Sequence, residues 1–121
     1  MKKVLIADDT ESSREILRTV LESVGYAVTE AANGLEALER ARQERPDLII
    51  LDLHMPRMDG FIAVRQLRAD PDFAGIPVIA LTASAMHGDH EQAIAAGFTG
   101  YLTKPIRPTV LRREVQRLLQ G

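Results

Sequence analysis

Five short apolar runs alternate along the chain with longer segments in which apolar residues recur every three or four positions, the pattern of a parallel sheet covered by helices on both faces. The first strand is predicted over Lys3 to Asp8. Ser12-Ser13-Arg14-Glu15 then has the S-x-x-E spacing of a capping box, so a helix is expected to begin there. Its apolar positions Ile16, Leu17, Val20, Leu21 and Val24 form one stripe of a helix with about 3.6 residues per turn, and Gly25 stops it. Tyr26 to Ala31 reads as the second strand. Asn33, with Glu36 three residues on, caps a helix that carries Leu35, Leu38 and Ala41 and ends before Pro46. Leu48 to Leu53 is the third strand, and Asp59 is the N-cap of a third helix through Phe61, Val64 and Leu67. Ile76 to Leu81 supplies the fourth strand and Gly88 to Ala96 a weaker, Ala-rich helix. Gly100 to Thr103 is a short fifth strand, and Leu111, Val115, Leu118 and Leu119 mark a last amphipathic helix.

Three of the runs, Val4-Leu5-Ile6-Ala7, Leu48-Ile49-Ile50-Leu51 and Val78-Ile79-Ala80-Leu81, are apolar throughout and suit central strands buried on both faces. The mixed Tyr26 to Ala31 and Gly100 to Thr103 suit edges. This agrees with an α/β, flavodoxin-like (βα)5 three-layer sandwich of strand order 2-1-3-4-5, with other orders that keep the same edges left open. The densest turn signals, Met55 to Gly60 and Ala69 to Asp72, punctuate loops inside the domain, and no repeat or low-complexity stretch interrupts the pattern.

The composition narrows the setting. A length of 121 residues fits one domain, and 45% hydrophobic with 26% charged residues allows a real core. A net charge of −2 gives no overall electrostatic footprint for nucleic acid. The absence of cysteine excludes disulfides, thiolate metal sites and cysteine nucleophiles. No apolar run approaches the roughly 18 residues of a membrane span, and the start of the chain is too short for a signal peptide, so a cytoplasmic setting without membrane or nucleic-acid contact is expected.

In an open parallel sheet, ligands bind beyond the carboxyl ends of the strands, where the strand order reverses. The first strand ends in Asp8-Asp9, the third in Asp52 and the fourth in Thr82, and Lys104-Pro105 follows the fifth. In the order 2-1-3-4-5 the three acids converge at the switch point. Clustered carboxylates repel, and a hard divalent cation relieves them; Mg²⁺ suits one or two carboxylates plus phosphate oxygens. Lys104 would supply a cation, and Thr82 a hydroxyl, to a phosphoryl group, and Asp52, alone at the end of a central strand, is the best-placed carboxylate nucleophile. His54, His87 and His90 lack a shared third ligand and read as solvated. Tyr101 reads equally as edge-strand packing.

These residues resemble the receiver domains of two-component response regulators, either a chemotaxis-type single-domain regulator or a receiver excised from a hybrid kinase. The likeness spans essentially the whole chain, 1–121, so a receiver domain without an output domain is expected within it. It rests on Asp8-Asp9, on Asp52-Leu53-His54-Met55-Pro56-Arg57-Met58-Asp59-Gly60, on Leu81-Thr82-Ala83 and on Gly100-Tyr101-Leu102-Thr103-Lys104-Pro105. The resemblance implies a phosphoryl-accepting switch rather than a turnover enzyme, at most catalysing its own phosphorylation and dephosphorylation. Asp52 would take a phosphoryl group from a phosphohistidine on a histidine kinase or histidine phosphotransfer protein. Mg²⁺ would be held by Asp9, Asp52, the backbone carbonyl of His54 and, through water, Asp8. Thr82 and Lys104 would bind phosphoryl oxygens, and Ala83 would keep access open. Tyr101 would be the switch aromatic, and the Lys104–Pro105 bond is expected to be cis. His54 and Ser84 fall where side chains tune phosphoryl lifetime.

The implied readout surface is the fourth helix, fifth strand and fifth helix, facing a downstream effector protein. From Lys104 onward five basic residues (Lys104, Arg107, Arg112, Arg113, Arg117) oppose one acid, Glu114, which reads either as a face for an acidic partner patch or as a solvated helix face. The runner-up is a Mg²⁺-dependent phosphatase or phosphotransferase with an aspartyl nucleophile. Against it, His54 stands where a second carboxylate would serve as general acid/base, and there is little chain for a substrate cap. A dinucleotide-binding module fails because no G-x-G-x-x-G follows the first strand.

Overall fold

Alternation of strand and helix runs through the whole computed structural model, which describes residues 1–83 and 89–120. The elements are β1 (Lys3–Ala7), α1 (Glu11–Ser23), β2 (Ala27–Ala31), α2 (Gly34–Glu44), β3 (Leu48–Asp52), α3 (Gly60–Ala69), a 3-10 turn (Pro71–Phe73), β4 (Val78–Thr82), α4 (Asp89–Ala96), β5 (Gly100–Thr103) and α5 (Pro108–Gln120). The five strands form one parallel sheet of order β2-β1-β3-β4-β5. This is the expected flavodoxin-like arrangement, with β2 and β5 at the edges.

Successive strand side chains point to opposite faces, so each apolar run feeds two cores. Leu5, Ala7, Ile49, Leu51 and Ala80 pack under Leu38 of α2, Val64 and Leu67 of α3 and Ala93 of α4. On the other face Val4, Ile6, Leu48, Ile50, Ile79 and Leu81 pack under Leu17 and Leu21 of α1 and Leu111 and Val115 of α5. Fully burying each Leu or Ile is worth about 1.5–3 kcal/mol, which is what holds the three layers together. Among the described residues no helix is long and apolar enough to cross a membrane.

The expected caps of α2 and α3 form. Asn33 accepts from the Glu36 N–H at 2.9 Å and Asp59 from the Ile62 N–H at 3.0 Å. The expected capping box of α1 does not. The helix starts one residue earlier, at Glu11, and its N-cap Thr10 makes no side-chain cap bond, because the turn is fixed by Asp8 Oδ1 accepting from the Thr10 N–H at 2.9 Å. The α1 stripe is also narrower than its sequence pattern: Leu17 and Leu21 are buried, while Ile16 and Val24 are 49% and 48% exposed. Strand β4 begins at Val78 rather than Ile76, since Pro77 has no N–H for the ladder and joins it only through its carbonyl, which accepts from Ile49. Ser84, His87 and Gly88 lie outside the described residues.

Candidate functional site

Strand register decides what meets at the rim. Ala7 pairs with Leu51, Asp52 with Leu81 and Thr82 with Thr103, so β1, β3, β4 and β5 end side by side. Asp8, Asp9, Asp52, Thr82 and Lys104 therefore emerge on one edge, as the strand endings predict.

Asp8, Asp52 and Thr82 are the polar or charged residues buried at this rim, whereas Asp9 is exposed. Carboxylate oxygens of Asp8, Asp9 and Asp52 all lie within 4.8 Å of one another. The Asp52 carboxylate is held at both oxygens. Its Oδ1 accepts from the His54 N–H at 2.8 Å, and its Oδ2 from the Lys104 ammonium at 2.8 Å. The same ammonium lies 2.9 Å from Asp8 Oδ2, an ion pair off the hydrogen-bonding direction, which leaves that buried oxygen without a hydrogen-bond partner.

Lys104 reaches the acids because its backbone is pinned: its N–H donates to the Thr82 carbonyl at 2.7 Å, and a cis bond joins it to Pro105. The loop after β3 is pinned as well. The Gly60 N–H donates to the Leu53 carbonyl at 3.1 Å, and a Cβ at Gly60 would collide with the Asp52 carbonyl, so glycine lets α3 start directly against the end of β3.

Burial pushes the Asp52 carboxyl above its usual range; the Lys104 and His54 hydrogen bonds oppose this and the Asp8 charge adds to it. For Lys104, burial pulls the ammonium down, but the hydrogen bond to Asp52 and the charges of Asp52 and Asp8 outweigh it and hold the pKa above the ordinary value. The site is thus an acidic cluster carrying one built-in cation. Oxygen donors, a buried carboxylate oxygen with no hydrogen bond and an exposed third acid fit a hard divalent ion.

His54 is exposed. His90, also exposed, stacks on Tyr101 with ring centroids 4.9 Å apart and planes tilted by 38°, and Tyr101 is half-buried against the α2–α3 core. Two arginines are absent from the predicted set. Arg14 of α1 donates to the Asp8 carbonyl at 2.6 Å and pairs with Glu30 of β2 at 3.2 Å. Arg68 donates to the carbonyls of Gly97, Phe73 and Ile76 at 2.9, 3.0 and 2.6 Å, tying the end of α3 to the 3-10 turn and the end of α4. Each acts through backbone carbonyls, which no side-chain pattern reveals; the sequence signal for Arg14 is its place in the first turn of the helix that follows the acidic pair.

A family profile for the response regulator receiver domain matches residues 4–116. The chain is 42% identical over 105 residues to the polar-differentiation response regulator DivK of Brucella anthropi, covering 87% of this chain and 85% of that one. Its fold superimposes on the chemotaxis response regulator CheY4 of Vibrio cholerae with a TM-score of 0.93, 39% identity and coverage of 98% and 99%. A similar match, TM-score 0.92 with 36% identity over 99% and 98% of the two chains, is the receiver domain of a sensor histidine kinase of Pseudomonas aeruginosa, whose structure has a magnesium ion coordinated in the active site cleft. With its sheet order, its acidic rim and these likenesses in agreement, the chain belongs to the response regulator receiver domain family, the phosphorylation-dependent switches of two-component systems.

Proposed function

We propose that Asp52 is the phosphoacceptor and that the rim around it is a Mg²⁺-assisted phosphoryl-transfer site that runs once per signal. The observation that carries this is the fixing of the buried Asp52 carboxylate by the His54 N–H and the Lys104 ammonium, with Asp8 and Asp9 beside it. A carboxylate oxygen of Asp52 attacks the phosphorus of a phosphohistidine; the P–O bond forms as the P–N bond breaks, and the departing imidazole takes up a proton. Asp9, Asp52 and the His54 carbonyl would hold the ion directly and Asp8 through water. The magnesium of the Pseudomonas aeruginosa receiver domain supports that choice of metal. Bound there, Mg²⁺ would offset the charge that gathers on the phosphoryl oxygens.

Lys104 would exchange its bond to Asp52 for one to a phosphoryl oxygen, and the Thr82 hydroxyl would donate to another. The phosphoryl group adds charge and acceptor oxygens, and these new contacts bias the chain between two states. A shift from 1:99 to 99:1 takes about 5.5 kcal/mol of differential contact. Tyr101, on β5 between the rim and α4, would carry the change to the α4–β5–α5 surface. The donor would be a histidine kinase or histidine phosphotransfer protein, and the receiver of the signal an effector with an acidic patch facing Arg107, Arg112 and Arg113.

A stoichiometry experiment separates this switch from a phosphatase. Incubation with a small phosphodonor should give at most one hydroxylamine-labile phosphoryl group per chain, and a generic phosphomonoester should not be turned over. Multiple turnover of the phosphomonoester would replace the switch by an aspartyl-nucleophile enzyme.

A further inference from the structure

Asp9 is the exposed member of the acidic cluster, and no hydrogen bond or ion pair to another described residue fixes its carboxylate. Its position is therefore set by its backbone. The peptide that leads into Asp9 begins at the Asp8 carbonyl, and that carbonyl accepts from Arg14 Nη1 at 2.6 Å. The guanidinium is itself held by Glu30, with Nε 3.2 Å from Glu30 Oε1, and the Arg14 side chain is only 17% exposed. Glu30 is the next-to-last residue of β2, and Arg18, one turn along α1, pairs with its other oxygen. The Asp8 N–H, on the opposite side of the same residue, donates to the Ala31 carbonyl at 3.1 Å. The acidic turn is thus clamped between β2 and α1: Arg14 grips the peptide before Asp9, and the peptide after it is tied back by the Thr10 N–H donating to Asp8 Oδ1 at 2.9 Å.

We infer that Arg14 is a positioning residue for the cation site: it orients the Asp8–Asp9 peptide so that the Asp9 carboxylate faces Asp52, and Glu30 holds it in that pose. The inference rests on reading the acidic rim as a Mg²⁺ site. Geometry and charge here predict opposite signs. Removing a positive charge that sits on the turn carrying Asp8 and Asp9 would, by Coulomb's law alone, tighten cation binding. Loss of a group that orients a metal ligand weakens it, typically by roughly 10- to 100-fold.

The test is equilibrium dialysis of the full chain against Mg²⁺, with thermal unfolding in EDTA as a separate measure of fold integrity. Arg14→Met is expected to raise the Kd for Mg²⁺ about 10-fold or more. Arg18→Met, which removes the same charge from the same Glu30 but does not touch the Asp8 carbonyl, is expected to stay within about twofold of the original chain. Should Arg14→Met fail to fold, Arg14→Gln carries the same expectation. A Kd that is unchanged or lower without Arg14, or one raised equally by Arg18→Met, overturns the positioning role. Failure of the unaltered chain to bind Mg²⁺ is a different result: it removes the cation site itself.

Discussion

Lys104 Nζ lies 2.8 Å from Asp52 Oδ2, so the loop after β5 is joined to the end of β3 across the intervening strand β4. One side chain thus neutralises part of the acidic rim and occupies the place from which a phosphoryl oxygen would be gripped. Removing it leaves a buried carboxylate with one fewer partner. Lys104→Met is expected to lower stability in EDTA by about 1–3 kcal/mol, the usual cost of leaving a buried polar group unsatisfied. It should also slow labelling by a phosphodonor. Urea unfolding and label incorporation over time check the two effects.

The same cluster predicts stabilisation by the metal. An ion that binds only the folded chain adds RT ln(1 + [L]/Kd), about 1.4 kcal/mol at ten times Kd. Mg²⁺ should raise the melting temperature of the unaltered chain, and Asp9→Asn should lose most of that rise while melting normally in EDTA.

Acid–base behaviour follows from Asp52. Its pKa in the folded chain is raised, chiefly by burial, so over the window between its unfolded and folded values the folded chain binds more protons. Stability in EDTA should therefore fall as pH rises through that window, and the contribution is lost above the folded pKa. Asp52→Asn should remove this portion of the pH dependence and be more stable than the original chain at neutral pH. Melting curves of both chains between pH 4 and 8, on the order of four units around the carboxylate range, check the sign.

Gly60 should tolerate no side chain. The Cβ of Gly60→Ala would run into the Asp52 carbonyl, a backbone group that cannot turn aside. Overpacking of this kind costs about 1–3 kcal/mol, and the displaced Asp52 should label more slowly. A lowered urea midpoint with an unchanged slope, together with slower labelling, is the expected pair of results.

Most of the architecture is written in the alternation of apolar runs, because a strand buried on both faces has little choice but Val, Ile, Leu or Ala. The runs of β1, β3 and β4 mark the centre of the sheet, and the mixed β2 and β5 mark its edges. The caps at Asn33 and Asp59 were legible because a single side chain does the work. The start of α1 was not: Ser12 has the right spacing, but the turn before it is already satisfied by Asp8, a residue outside the helix. Ile16 and Val24 fit the helical stripe by period, yet α1 buries only its central line, Leu17 and Leu21. At the site, the strand endings brought the acids, Thr82 and Lys104 to one rim without any structure. Arg14 and Arg68 stayed hidden because the groups they hold at the site and at the end of α3 are carbonyls, present at every position of every sequence.

The central claim is that Asp52, among the three clustered acids, receives the phosphoryl group. The most direct measurement is stoichiometric labelling of the Asp52→Asn chain by a phosphodonor in Mg²⁺, alongside the original chain. The account predicts one hydroxylamine-labile group on the original chain and none on Asp52→Asn, which should still melt cooperatively. Full labelling of the Asp52→Asn chain would contradict it and place the acceptor on another carboxylate.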